Sequence, residues 1–377
     1  MVPADPFLER QHQDLFDRLH AFGEKRLRGT ASDESDPEGQ TRRLVTALGD
    51  AAFLKHAVPA PFGSMDLRSV VVAREALAYY SSLADTAFVM QGLGSFPISQ
   101  AGTDVQKQTW LPPVARGDML AAFAVTEPGA GSDLGAVCTE AIRDGALWTL
   151  RGVKTFISNA GLAGVYTVLA RTSEASGHDG LSMFLVDGEA PGISVRPLEL
   201  IAPHPIGELR FEDTPALLLG EEGAGFKIAV ATLEFFRPSV GAAACGLAAR
   251  ALFEAIRHTQ SRRQFGRPLS DFQAVRMALA EMHVALEGAR LLVLKAAWAR
   301  DQGASSIARE GAAAKLAATE MAQRVVDGAL QLHGGQGVLK GSTVERLYRE
   351  VRALRIYEGT SEIQKLVIAR SLLKESR

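Results

Sequence analysis

Two stretches in the last third of the chain, DFQAVRMALAEMHVALEGARLLVLKAAWARDQG (271–303) and ASSIAREGAAAKLAATEMAQRVVDGALQLHGG (304–335), each sustain a helical pattern beyond the usual globular length. Both are rich in Ala and Leu and carry apolar residues on more than one face, so each helix needs cover from several sides. That requirement points to a buried helical bundle, one that a second subunit could share. With 377 residues, 47% of them apolar and 22% charged, the chain has room for two or three domains of about 100–200 residues each.

The first third also reads as helix. Phe7, Leu8, Leu15, Phe16, Leu19 and Phe22 recur at mostly helical spacing, and RSVVVAREALAYY (68–80) continues the pattern until Pro112, Pro113 and Gly117 close it. The middle changes period. ALWTLRGVKTFISNA (146–160), VYTVLARTS (165–173), LSMFLVDG (181–188) and GISVRPLEL (192–200) are short, β-branched or aromatic, and divided by Gly, Asp and Pro. These are strand signals, with Asp144–Gly145 a hairpin-turn candidate. The expected fold is α+β: an N-terminal helical domain (1–118), a small middle β domain (119–220) and a C-terminal four-helix bundle (221–377).

A formal net charge of −2 argues against a dedicated nucleic-acid binder, which needs many Lys and Arg to displace counterions. The charge is uneven, with 6 basic and 12 acidic groups over 119–220 but 23 and 16 over 221–377. Solvated helix faces explain most of this, and the basic third could also hold an anionic ligand such as a phosphate-bearing cofactor. Two cysteines, Cys138 and Cys245, exclude a disulfide framework and suit a reducing compartment. MVPADPFLER has no signal-peptide core, and no uninterrupted apolar run nears the ~20 residues that span a bilayer. The expectation is a cytoplasmic protein without membrane or nucleic-acid partners.

Elimination narrows the chemistry. The sequence has no G-x-G-x-x-G, no Gly-Lys dipeptide for a P-loop, no H-E-x-x-H and no G-x-S-x-G, and its eight histidines are scattered without metal-ligand spacing. Four segments remain. AAFAVTEPGAGSDLG (121–135) sets Thr126, Glu127, Ser132 and Asp133 around glycines. It is either a polar turn between strands or a cradle of backbone N–H groups and hydroxyls for an anion or polar ring edge. SRRQFGRPLSDFQ (261–273) concentrates arginines beside Phe265, as a solvated basic loop or as bidentate partners for a pyrophosphate. QLHGGQG (331–337) ends a long helix, where a plain C-terminal cap and close approach by a ligand are both open readings. IYEGTSEIQ (356–364) places Glu358 between an aromatic and a glycine at the start of the last helix. It is either an N-terminal acid favoured by the helix dipole or a carboxyl whose pKa apolar neighbours raise toward that of a useful base.

In this order and this α–β–α layout, the four segments resemble the acyl-CoA dehydrogenase family of flavoproteins. AVTEPGAGSD is similar to the family's first signature and RIYEGTSEIQ to its second, and the resemblance spans nearly the whole chain. It implies FAD as cofactor, an acyl-CoA thioester as substrate, an electron-transferring flavoprotein as acceptor, and a homo-oligomer, usually a tetramer, with FAD at a subunit boundary. It gives Glu358 the role of catalytic base, taking the α-proton while hydride leaves the β-carbon for the flavin.

Position by position, Thr126, Gly131 and Ser132 match residues that touch flavin and substrate. Ser158 matches a ring-edge partner that is commonly Thr, and Phe156 stands where many members carry a flanking Trp. Arg262, Gln264 and Phe265 match a segment reaching a neighbouring subunit's FAD. Gln331 and Gly335 match the helix end at its pyrophosphate, and Thr360 and Glu362 match positions near the adenosine half. For the substrate, the resemblance implies Ser132, Glu234, Arg237, Tyr357 and Gly359. Met90–Ile98 and Leu233–Val240 match segments lining the acyl cavity, where Phe236 either shortens the pocket or simply fills the core.

One loop departs from the family. LIAPHPIGEL (200–209), before RFED, replaces a usual Gly-x-Arg and a Ser/Thr pair. Three other functions stay open at this stage: an acyl-CoA oxidase, a dehydrogenase acting on a carrier-bound acyl group, and a non-catalytic DNA-associated or assembly module of the same fold.

Overall fold

A computed structural model describes residues 6–28, 34–145, 147–175 and 177–375. Residues 1–5 of the opening segment and Ala146, the first residue of the strand expected over 146–160, lie outside them. Five helices come first: α1 (Arg10–Arg26), α2 (Pro37–Asp50), α3 (Leu67–Tyr80), α4 (Ser82–Ala101) and α5 (Asp104–Arg116). Seven strands follow: β1 (Ala121–Ala124), β2 (Glu140–Asp144), β3 (Leu147–Ser158), β4 (Val165–Arg171), β5 (Leu181–Asp187), β6 (Ile193–Pro197) and β7 (Ile206–Leu219). The chain ends with α6 (Gly225–Ser261), a short hairpin of β8 (Arg263–Gln264) and β9 (Arg267–Pro268), then α7 (Gln273–Asp301), α8 (Ala308–His333), α9 (Thr343–Val351) and α10 (Ser361–Glu375). This is the expected α+β order of helices, β domain and helices.

The chain forms two compact units that cut across chain order. The helical unit combines α1, Leu67–Asp85 and the chain from Glu234 onward, whereas the other holds α2 and Thr86–Leu233. In the helical unit, α6 packs on α3 so closely that a Cβ on Gly246 would sit 2.3 Å from the Glu75 carbonyl oxygen. The end of α7 caps α3: Asp301 accepts from the Leu67 and Arg68 N–H groups at 2.8 and 3.0 Å. By length and composition α6 could cross a membrane, but 78% of its most apolar window is buried in protein, as suits the central helix of a bundle.

In the second unit the strand order is β1-β4-β2-β3-β7-β5, with β6 on β7. Strand β5 also pairs with β4, so the ladder closes on itself around a core that includes Leu150, Tyr166, Phe184, Leu209 and Phe211. The β2–β3 hairpin turns where expected, with Asp144 paired to Leu147 and Gly145 at φ 61°. Some elements depart from the sequence reading. Strands β1 and β7 were not foreseen, β2 was implied only by the Asp144–Gly145 turn, and the 200–209 loop gives way to β7 at Ile206. Pro112 and Pro113 lie inside α5 rather than closing it, and of the expected stops only Gly117, in the left-handed conformation, ends the helix.

Candidate active site

Strand β1 leads into the segment bearing Thr126, Gly131 and Ser132. Glu127 anchors it: its carboxylate accepts from the Cys138 and Thr139 N–H groups at 2.7 and 2.9 Å and from Lys154 Nζ on β3 at 2.7 Å. Thr126 O also accepts from Thr155 N at 2.9 Å. The anchored side faces the sheet, while Gly129, Gly131, Ser132 and Asp133 stay exposed. A Cβ built on Gly129 or Gly131 would meet nothing within 4 Å, so open space adjoins these backbones. Burial alone would raise the Glu127 carboxyl, yet Lys154 and the N–H donors hold it below its usual range. Burial pushes the Lys154 amine down to about 8 against the pull of Glu127.

The end of β3 lies beside this loop. A register shift between Lys154 and Ile157 puts Phe156 at φ 55°, and the residue is 59% exposed. Ser158 is half-buried, and its Oγ lies 2.7 Å from His204 Nε2. One unit therefore brings together Thr126, Gly131, Ser132, Phe156 and Ser158.

The helical unit holds the remaining residues. Glu358 has φ 52° and Gly359 φ 90°, in the turn that precedes α10. Lys315 Nζ donates to Gly359 O at 2.7 Å, and Gln364 Nε2 donates to Glu358 O and Gly359 O at 3.2 and 2.8 Å. The main chain is thus clamped, yet Glu358 Oε2 is sealed from solvent without a hydrogen-bond partner. Burial raises the Glu358 carboxyl above its ordinary range, and Arg74, Lys315 and Arg237 oppose the rise. Arg74 is itself neutralised, bonding both Asp85 oxygens at 2.8 Å and Ser239 Oγ at 2.9 Å. Burial pulls the Arg237 guanidinium down, and Arg237 Nε is a buried donor without a partner.

Other predicted residues have local roles in view. Glu234 accepts from Ser306 Oγ and Ile307 N at 2.7 and 2.8 Å, which fixes the start of α8. Thr360 Oγ1 accepts from Ile363 N at 3.4 Å, and exposed Glu362 lies in the first turn of α10. Phe236 is fully buried, edge-on to Phe235. Arg262, Gln264 and Phe265 stand on the exposed β8–β9 hairpin, where Phe265 is 92% exposed. Gln331 and Gly335 are exposed at the end of α8, and a Cβ on Gly335 would meet nothing within 4 Å. His258 stacks on His333 with centroids 4.3 Å apart, beside a cleft of about 250 Å³ that Arg257 and Gln336 also line.

Sequence reasoning missed Arg74, Asp85, Lys315, Gln364 and His204. A lone Lys in the Ala-rich face GAAAKLAA (311–318) was a usable signal, because a charge on a buried helix face demands a partner.

Residues 9–118, 122–214 and 223–373 match, in turn, the N-terminal, middle and C-terminal domains of acyl-CoA dehydrogenases. The chain is 36% identical over 377 residues to the 3-(aryl)acrylate reductase of Clostridium sporogenes, covering 98% of this chain and 100% of that one. It is 38% identical over 381 residues to the mitochondrial short-chain specific acyl-CoA dehydrogenase of Bos taurus, covering 98% and 92%. The solved butyryl-CoA dehydrogenase of Megasphaera elsdenii superposes with a TM-score of 0.91 at 34% identity, covering 97% and 99%. This chain belongs to the acyl-CoA dehydrogenase family, whose members are FAD-dependent oxidoreductases.

The residues present fit that cofactor. Open space adjoins the backbones of Gly129, Gly131 and Gly335, where backbone N–H groups can meet phosphate or ring-edge oxygens. Exposed Phe156 and Phe265 offer flat apolar faces.

Proposed function

We propose that this enzyme removes the α-proton and a β-hydride from an acyl-CoA thioester to give the 2-enoyl-CoA, with Glu358 as the base. The observation that carries the assignment is the unpartnered, buried Oε2 of Glu358 on a left-handed backbone. An acceptor without a donor in a water-poor site is ready to take a proton, and burial that raises the carboxyl strengthens it as a base. Arg74, Lys315 and Arg237 oppose that rise and favour the carboxylate form. Bound FAD would supply the hydride acceptor. Thr126, Gly131, Ser132, Phe156 and Ser158 would hold its ring, and Arg262, Gln264, Phe265, Gln331, Gly335, Thr360 and Glu362 its remaining length. Arg237, Glu234, Tyr357 and Gly359 would orient the thioester together with Ser132.

Glu358→Gln keeps the shape and removes the basicity. The variant should stay yellow and lose turnover by about 10²–10⁴-fold or more. Near-normal turnover would move the base elsewhere.

The acceptor is an electron-transferring flavoprotein in this reading, and a homo-oligomer in a reducing cytoplasm is its setting; Cys138 and Cys245 are both free thiols. The reductase named among the relatives favours a second reading, the reverse reaction on an aryl-substituted acrylate. A panel of CoA thioesters with a dye acceptor, run beside arylacrylates with a dye donor, separates the two. Peroxide formation without added acceptor would indicate an oxidase, and turnover of a loaded carrier alone would indicate a carrier-bound substrate.

A further inference from the structure

Two departures from the family pattern meet in one hydrogen bond. Ser158 stands where a Thr is common, and His204 lies in the atypical 200–209 loop; Ser158 Oγ and His204 Nε2 are 2.7 Å apart. Ser158 ends β3 and is paired with Ile206, the first residue of β7, two residues beyond His204. Pro203 and Pro205 flank the histidine, so both neighbouring φ angles are fixed and His204 is restricted to extended backbone. Pro205 O accepts from Asn159 N, and Leu198 N donates to Ile206 O, both at 2.9 Å. The imidazole is therefore carried on a stiff mount at the end of two paired strands.

The proton arrangement follows from the surroundings. His204 Nδ1 is buried with no hydrogen-bond partner. A buried N–H without an acceptor is rarer and more costly than an acceptor left bare. The favoured tautomer therefore carries its proton on Nε2, which donates to Ser158 Oγ. Burial also pulls the imidazole down to about 4, so the ring is neutral at neutral pH. With one lone pair of Oγ engaged, the serine hydroxyl proton is left pointing away from the histidine as an outward donor. A Thr needs no such help, because its γ-methyl restricts χ1; a Ser has no such restraint.

We propose that His204 is a positioning residue that orients the Ser158 hydroxyl as a hydrogen-bond donor toward the flavin ring edge, replacing the rotamer control that Thr would supply. This rests on the reading of Ser158 as a flavin partner given above.

The holoenzyme tests it through the midpoint potential and visible spectrum of bound FAD, in His204→Leu, His204→Gln, Ser158→Ala and the double variant Ser158→Thr with His204→Leu. Losing an oriented donor should shift the potential to more negative values in His204→Leu and Ser158→Ala. Gln, whose amide nitrogen reaches the place of Nε2, should restore most of the shift, and so should Thr in the double variant. In ¹⁵N-histidine spectra of wild type, His204 should show protonated Nε2 and bare Nδ1. This last measurement needs no variant to fold. A yellow His204→Leu with wild-type potential and spectrum would overturn the proposal alone, as would a shift that persists on a Ser158→Ala background or a protonated Nδ1. A wild-type protein that takes up no FAD would overturn the flavin reading, and the proposal with it.

Discussion

At Glu358 both backbone and side chain are held away from their rest states. A non-glycine residue at φ 52° is strained, and such strain persists only where the surroundings over-determine it. Here Lys315 and Gln364 supply the constraint through the two carbonyls of residues 358 and 359. Lys315 also acts through space, since its charge favours the carboxylate form of Glu358. The sign of a substitution follows: Lys315→Met removes that support, so the carboxyl climbs further and the free base persists only at higher pH. The acid limb of the kcat/KM profile should begin above the ordinary Glu value of about 4.3 and move higher still in the variant. An unmoved or lowered limb would separate Lys315 from the base. Glu358 stood out in the sequence as a candidate, because Ile356, Tyr357 and Gly359 flank it in a short, distinctive segment, and the resemblance gave it the base role that we propose. Arg74 and Asp85 did not, because Asp85 is the single charge of its apolar helix, Arg74 stands next to Glu75 on another, and only the fold makes them a pair.

At the scale of elements, the loop after β1 is held by one buried ion pair, Glu127 with Lys154. Breaking such a pair from one side strands the other charge in a water-poor place, typically at a cost of about 3–5 kcal/mol. Glu127→Gln should therefore lower the thermal midpoint by several degrees and weaken FAD retention, because the Thr126–Ser132 segment loses its anchor. Glu127→Leu combined with Lys154→Met should cost less than the sum of the two single changes, since no charge is left behind and only the Cys138 and Thr139 N–H groups lose their acceptor. Thermal melts read by flavin fluorescence check both, and a double variant as unstable as the sum of the singles would contradict the account. The strands over 147–197 were visible in sequence as short β-branched runs between turn residues. β7 was hidden for a geometric reason. Its buried residues alternate through Leu209 and Phe211, but the pairing slips opposite Arg151, where Asp213 takes φ 53°, and the alternation resumes in shifted phase at Thr214 and Ala216. A bulge of this kind defeats a period-two reading of any sequence.

At the scale of the whole molecule, the unfinished surface is the outer face of the helical unit. Met277, Val284, Leu291 and Trp298 on α7 are 56%, 70%, 49% and 40% exposed at a spacing of seven, which keeps them on one side of the helix. On α10, Leu366, Ala369 and Leu373 line a second, mostly apolar groove. Contiguous exposure of this kind is uncommon on a monomer and marks an interaction surface, and the multi-faced apolar pattern of 271–335 demands the same cover. A second copy of the chain is the occupant our functional reading implies, with FAD bridging subunits through Arg262. Val284→Glu with Leu291→Glu should then dissociate the assembly, because two charges per chain would be buried without partners. Arg262→Ala should act from the other side. It removes a charge-assisted bond to phosphate worth about 1.5–3 kcal/mol, and the lost FAD loosens the oligomer by mass action. Light scattering and flavin absorbance should therefore fall together in both variants, and added FAD should restore the assembly only in Arg262→Ala. A wild-type protein that is monomeric while holding a full complement of flavin would refute the bridging arrangement and leave these apolar faces to another partner.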